Sequence, residues 1–329
     1  MSTSEKRSQS QPPIKDTKLA EPKVDDYVSI YAFQTRTGFI PQKDDKQNQD
    51  QYLIVQNFAG IQNNWLFGVC DGHGINGHFA SDHVKQYLPT NIELLDYMLL
   101  KQKEKEAQKS PEEKLESPSG FFDDDEEGLA SYLLSKDKRK KYTVISEGFI
   151  KTACDIQNRS FNVDYSGTTV VTVMLTGNNL TCANVGDSRA VLGSLRTKEE
   201  AAVVEENKGE FQIESVAGPS SKGDKIWMST SLSIDHKPDR ADEHERIINT
   251  NGRVDPFREE NGDPVGPARV WLRTQNVPGL AMSRSIGDLV AASVGVIPEP
   301  EFFEITLNEC DKFLVLASDG VWEFIDNNE

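Results

Sequence analysis

Apolar and polar positions along the chain form short apolar runs closed by glycine or asparagine turns, with helix-spaced stretches between them. Trp65-Leu66-Phe67-Gly68-Val69 leads into Cys70-Asp71-Gly72-His73-Gly74 and predicts a buried strand with a carboxylate projecting at its end. Phe313-Leu314-Val315-Leu316-Ala317-Ser318 repeats that design ahead of Asp319-Gly320. Residues 166–175 and 180–185 are β-branched runs around Thr176-Gly177-Asn178-Asn179, which predicts an antiparallel hairpin. Residues 27–33 alternate and predict a first strand, and residues 51–55 predict a second with Asp50 at its start.

Helical spacing covers residues 76–88 through Phe79, Ala80, Val84, Tyr87 and Leu88, and residues 142–161 through Val144, Ile145, Phe149, Ala153 and Ile156. A further helix is expected from Asp239, as its cap, to Asn251-Gly252, as its stop. The prolines and glycines of residues 262–276 read as a flap of turns. Three polar stretches interrupt the pattern: a disordered tail over residues 1–26, and insertions at about 100–141 and 194–227. The expected ordered domain is residues 27–329.

Charge changes the picture in one direction. Lys+Arg 36 against Asp+Glu 53 gives a net charge of -17, which argues against a nucleic-acid or anionic-membrane binder and suits a protein that holds cations. Part of the excess is local, in Asp123-Asp124-Asp125-Glu126-Glu127. Cys70, Cys154, Cys182 and Cys310 are scattered without a C-x-x-C pair, so they read as buried thiols of a reducing compartment. No apolar run is long enough for a membrane span, and Ser2 removes the myristoylation signal. A cytoplasmic location is expected, with nuclear entry as the functional reading of the basic cluster over residues 136–141 and a solvated loop as the commoner one.

The candidate chemistry lies at strand boundaries. Asp50, Asp71, Asp187, Asp288 and Asp319 all stand there, and His73 is two residues from Asp71. Taken singly, each aspartate is more often a turn residue. Carboxylates gathered at adjacent strand ends repel unless a cation lies between them, and oxygen-only ligands suit Mg²⁺ or Mn²⁺. His73, His78 and His83 recur every five residues, which puts them on different helix faces and argues against zinc. Hard cations with a histidine form a kit for phosphate-ester hydrolysis, with the substrate left open.

Seven motifs narrow it. Asn48-Gln49-Asp50, Phe67-Gly68-Val69-Cys70-Asp71-Gly72-His73-Gly74, Ser166-Gly167-Thr168-Thr169, Asn184-Val185-Gly186-Asp187-Ser188-Arg189, Asp235-His236-Lys237-Pro238, Ser283-Arg284-Ser285-Ile286-Gly287-Asp288 and Ala317-Ser318-Asp319-Gly320-Val321-Trp322 occur in this order. Together they resemble the metal-dependent, type 2C family of protein serine/threonine phosphatases. The resemblance runs from about residue 27 to the end, outside the two insertions. It implies an α+β fold, a β-sandwich of two antiparallel sheets flanked by helices, with a two-metal site at one end. Asp71 would bridge two Mg²⁺ or Mn²⁺ ions, the Gly72 carbonyl would bind one, and Asp50 and Asp319 would complete the shells. Asp187 would help hold a third ion, and His73 would be the general acid. Phosphoserine and phosphothreonine proteins would be the substrates, hydrolysed by a hydroxide that bridges the ions.

Three departures from the family accompany the match. Among the cations upstream of Asp50, namely Arg36, Lys43 and Lys46, Lys46 is assigned to the substrate phosphate, where the family has an arginine. Gln49 stands where many relatives have glutamate. The resemblance also implies a further helix, closing strands and an Asp-Asn ligand pair beyond Glu329, so the expected fold is C-terminally incomplete. An alternative reading follows: a catalytically silent phosphatase-like domain or fragment that binds phosphoproteins or regulates a partner. A magnesium-dependent hydrolase of small phosphate esters is a third reading.

Overall fold

A computed structural model describes residues 27–38, 46–107, 131–198, 200–201, 213–216 and 225–328. In chain order the strands are β1 (Asp50–Gln56), β2 (Asn64–His73), β3 (Gly167–Thr168), β4 (Val170–Thr176), β5 (Asn179–Val185), β6 (Arg189–Thr197), β7 (Ile213–Val216), β8 (Lys225–Ser231), β9 (Gly252–Arg258), β10 (Pro264–Leu272), β11 (Pro278–Leu280), β12 (Ile286–Gly287), β13 (Glu301–Thr306) and β14 (Asp311–Ala317). The helices are α1 (Gly77–Ala107), α2 (Lys138–Ile156), α3 (Ala241–Asn249), α4 (Leu289–Ala292) and α5 (Asp319–Trp322).

Among the described residues the strands form three antiparallel sheets. The largest runs β12-β3-β2-β4-β5-β13 with β1 added on β2, the second runs β14-β6-β8-β7, and the third runs β11-β10-β9. Strand alternation sorts β2 between two cores. Leu66 and Cys70 face α1 and α2, joining Val84, Leu88 and Phe149. Trp65, Phe67 and Val69 face the second sheet and meet Ala190, Leu192 and Leu232. The result is the expected sandwich with helices on its outer face.

Several expectations need correction. Residues 27–33 form no strand; the segment lies on the sheet by aromatic contact, with Tyr31 edge-on to Trp65 and Phe33 stacked on Tyr52. Helix α1 does not stop at Leu88 but continues through Pro89, because packing beyond the proline outweighs one lost backbone bond. Ile92 seats so closely on Gly148 of α2 that a Cβ there would lie 2.4 Å from its Cγ1. The insertion at 100–141 is correspondingly narrower, since residues 100–107 are helix and Tyr132 and Leu133 are buried. Its basic cluster is largely the first turn of α2: Lys140 and Lys141 are buried, and Lys141 Nζ donates to Glu304 at 2.7 Å. The second insertion holds the end of β6, β7 and the start of β8.

Helix α3 is preceded by Arg240 rather than capped by Asp239, and the flap is a strand, β10, paired on both sides. Cys70 and Cys182 are buried as expected, whereas Cys154 is exposed. The tail, Lys43 and the acidic run at 123–127 lie outside the described residues.

Candidate metal centre

Register brings the first two carboxylates together. Strands β1 and β2 pair so that Asp50 stands opposite Asp71, and alternation puts both on the face toward the second sheet. Asp319 arrives from that second sheet, as the first residue of α5 after β14. The preceding Ser318 donates through Oγ to Asp50 Oδ2 at 2.8 Å, and the Asp71 side chain hydrogen-bonds to Asp319. Burial, followed by the charges of Asp50 and Asp319, pushes the Asp71 carboxyl up to about 9.

The fourth carboxylate lies on the turn that crosses between sheets. Asp71 N donates to Thr169 Oγ1 at 3.1 Å, and Thr169 Oγ1 pairs with Ser188 Oγ at 2.6 Å, next to Asp187. Gly186, with φ 103°, is required because a Cβ there would meet Thr169 at 2.6 Å. From the other side, Gly186 N donates to His236 Nδ1 at 3.0 Å. Asp187 is buried, and its Oδ2 accepts from Lys237 Nζ at 2.5 Å. A lysine ammonium is therefore the counter-charge beside the position expected for the third ion.

His73 ends β2 and its Nε2 donates to Asp288 Oδ2 at 2.6 Å. Burial alone would lower its proton affinity, but the Asp288 charge and hydrogen bond outweigh it and raise the pKa. The Nδ1 atom is buried with no hydrogen-bond partner among the described residues. Asp288 is held in a left-handed conformation, φ 48°, by its N–H donating to Ser166 O at 2.9 Å. Its carboxylate occupies the space a side chain on Gly167 would need, with Oδ2 2.2 Å from an ideal Cβ.

The structure thus gathers Asp50, Asp71, Asp187 and Asp319 around one end of the sandwich, with Gly72 on the same strand end. Oxygen-only donors whose crowding raises one carboxyl fit a hard divalent cation, which would relieve that repulsion. Lys46 is exposed on the segment ahead of β1, with its Nζ beside Gly38. Gln49 donates through Nε2 to Gly74 O at 2.7 Å, tying the entry of β1 to the loop after His73, a bond that an ionised glutamate has no proton to make.

Another carboxylate group, Asp242, Glu243 and Glu301, has metal-ligand spacing but a different chemistry. Arg246 reaches Glu243 at 2.6 Å, Arg284 reaches Glu243 at 2.8 Å, and Arg240 pairs with Asp242 and Glu301. Guanidinium groups already fill the place of a cation there. Asp288 is the residue whose role sequence reasoning missed; it was visible only as one more acid at a strand boundary.

The protein phosphatase 2C family model matches residues 42–329. Probable protein phosphatase 2C 73 of Oryza sativa subsp. japonica is 32% identical over 287 residues, covering 86% of this chain and 59% of that protein. Probable protein phosphatase 2C 52 of Arabidopsis thaliana is 33% identical over 287 residues, covering 86% of this chain and 53% of that protein. The chain spans little more than half the length of these relatives. A solved serine-threonine phosphatase 2C from Toxoplasma gondii matches the fold with a TM-score of 0.56 at 19% identity, over 86% of this chain and 76% of that one. The chain belongs to the protein phosphatase 2C family.

Proposed function

We propose that this chain hydrolyses phosphoserine and phosphothreonine esters of proteins with the help of Mg²⁺ or Mn²⁺. The observation that carries the reading is the Asp50–Asp71 cross-strand pair, closed by Asp319 and flanked by the His73–Asp288 pair. Asp71, Asp50, Asp319 and the Gly72 carbonyl would hold two ions, and Asp187 would share a third with Lys237 as its competitor. Bound ions supply positive charge for the phosphoryl oxygens and lower the pKa of a water.

The protein's own part is positioning and proton delivery. Asp288 fixes the imidazole of His73 through Nε2, which leaves Nδ1 as the ring nitrogen to serve the departing serine or threonine oxygen. An alkoxide leaves poorly, so this proton is worth about two to four orders of magnitude in rate. Thr169 and Ser188 lock the Asp71 backbone to the Asp187 turn, which keeps the carboxylates in register. Lys46, on the loop ahead of β1, is the proposed anchor for the substrate phosphate.

Phosphate release from a phosphothreonine peptide tests the reading, with Mn²⁺, with chelator, and with the Asp71→Ala variant. Turnover that requires Mn²⁺ and disappears in the variant is expected. Folded protein that binds the phosphopeptide without releasing phosphate would instead establish the silent binding domain.

A further inference from the structure

Beside the mouth of the site lies a rim of apolar side chains that the chemistry does not use. Ile75, two residues after His73, is 90% exposed. Tyr165, which precedes the Ser166 that holds Asp288, is 54% exposed, and Phe79 on the first turn of α1 is 48% exposed. Phe79 stacks on Phe161 with ring centroids 5.3 Å apart.

These side chains share one rigid frame. Ile75 is bracketed by Gly74 and Asn76, and both are fixed to the loop that carries Tyr165. A Cβ on Gly74 would stand 2.2 Å from Tyr165 O, Asn76 N donates to Ser166 Oγ at 3.0 Å, and Asn76 Nδ2 donates to Asn162 O at 2.8 Å. A single exposed isoleucine is ordinary, but several exposed apolar side chains carried on one hydrogen-bonded frame next to the site mark a contact surface.

Reach defines the occupant. Two residues of chain span at most about 7 Å, so Ile75 lies within that distance of His73 along the backbone. An extended substrate covers the same span in one or two residues. We propose that the rim of Ile75, Phe79 and Tyr165 selects phosphoprotein segments with a large apolar side chain one or two residues from the phosphorylated position. The inference rests on the phosphatase reading and deepens it by naming a substrate class.

The test uses the full chain with Mn²⁺ and five phosphothreonine peptides: an all-serine background, and the same peptide with one leucine at −2, −1, +1 or +2. At least one leucine position should raise kcat/KM by about 10-fold, the scale of partly covering one aliphatic side chain. In Ile75→Ser and Tyr165→Ser the ratio should fall toward 1, with p-nitrophenyl phosphate turnover unchanged. Both positions are exposed, so neither substitution removes core packing. Equal kcat/KM for all five peptides, or a leucine advantage that survives both substitutions, would overturn the proposal while leaving the phosphatase reading intact. If neither p-nitrophenyl phosphate nor any peptide is turned over, that reading fails and peptide binding by fluorescence anisotropy decides the rim. Tighter binding of a leucine peptide, lost in Ile75→Ser, upholds it; equal binding ends it.

Discussion

At the scale of single residues, His73 and Asp288 are separated by 215 positions and joined by one hydrogen bond. Two local features make that bond: a left-handed Asp288 and a Gly167 whose missing side chain leaves room for the carboxylate. Asp288→Asn keeps the shape and removes the charge that supports the imidazole proton. Turnover of a phosphothreonine peptide should fall by about 10²-fold to 10⁴-fold, the usual share of a general acid. Hydrolysis of p-nitrophenyl phosphate should fall far less, because nitrophenolate departs without a proton. Equal losses on both substrates would show that Asp288 acts on cation binding instead, so the ratio of the two rates is the measurement.

Among elements, the junction between β2 and α1 governs the site. Gly72 and Gly77 lie backbone against backbone: a Cβ on Gly72 would meet Gly77 O at 2.2 Å and Gln49 O at 2.7 Å. Neither neighbour is a flexible side chain that moves aside. Gly72 N also donates to Gln49 O at 3.2 Å, which sets β1 against β2 at the level of Asp50. Gly72→Ala should therefore cost about 3 kcal/mol of stability or more, the upper range for overpacking. Urea unfolding checks it, and an unchanged midpoint would mean that the strand and helix separate without cost. Contacts between elements elsewhere act in the same way: packing of α1 on α2 carries α1 past Pro89, and two lysines of a charge run are buried, because neighbouring elements outvote local propensity.

For the whole molecule, a net charge of -17 has to be held together at the places where carboxylates are buried. The cluster of Glu243 and Glu301 joins α3 and β13 through Arg240, Arg246 and Arg284. Burial alone would raise the pKa of Glu243, but hydrogen bonds from Arg246, Arg284 and Ser283 more than reverse this and hold it at about 2. A depressed carboxyl stabilises the fold above its ordinary value near 4.5, and that contribution is lost as pH falls toward 2. Urea midpoints of the protein should thus drop steeply between those values, and Glu243→Gln should show a shallower acid limb. The variant should also be less stable at neutral pH by about 3 to 5 kcal/mol, because it strands buried arginines. A wild-type stability with an unchanged acid limb would remove the cluster from the account.

Much of this was legible without coordinates. The hairpin of β4 and β5, the strand ending in Asp71 and the strand before Asp319 follow from apolar runs and turn residues, since burial and backbone geometry there are local constraints. The acids at strand ends and His73 were likewise visible as residue types in motif order. What only the tertiary structure decided is pairing: Asp50 with Asp71, His73 with Asp288, Asp187 with Lys237, and Lys141 with Glu304. Those partners lie 21 to 215 positions apart, and no periodicity encodes which distant side chains a closed fold brings within hydrogen-bond distance.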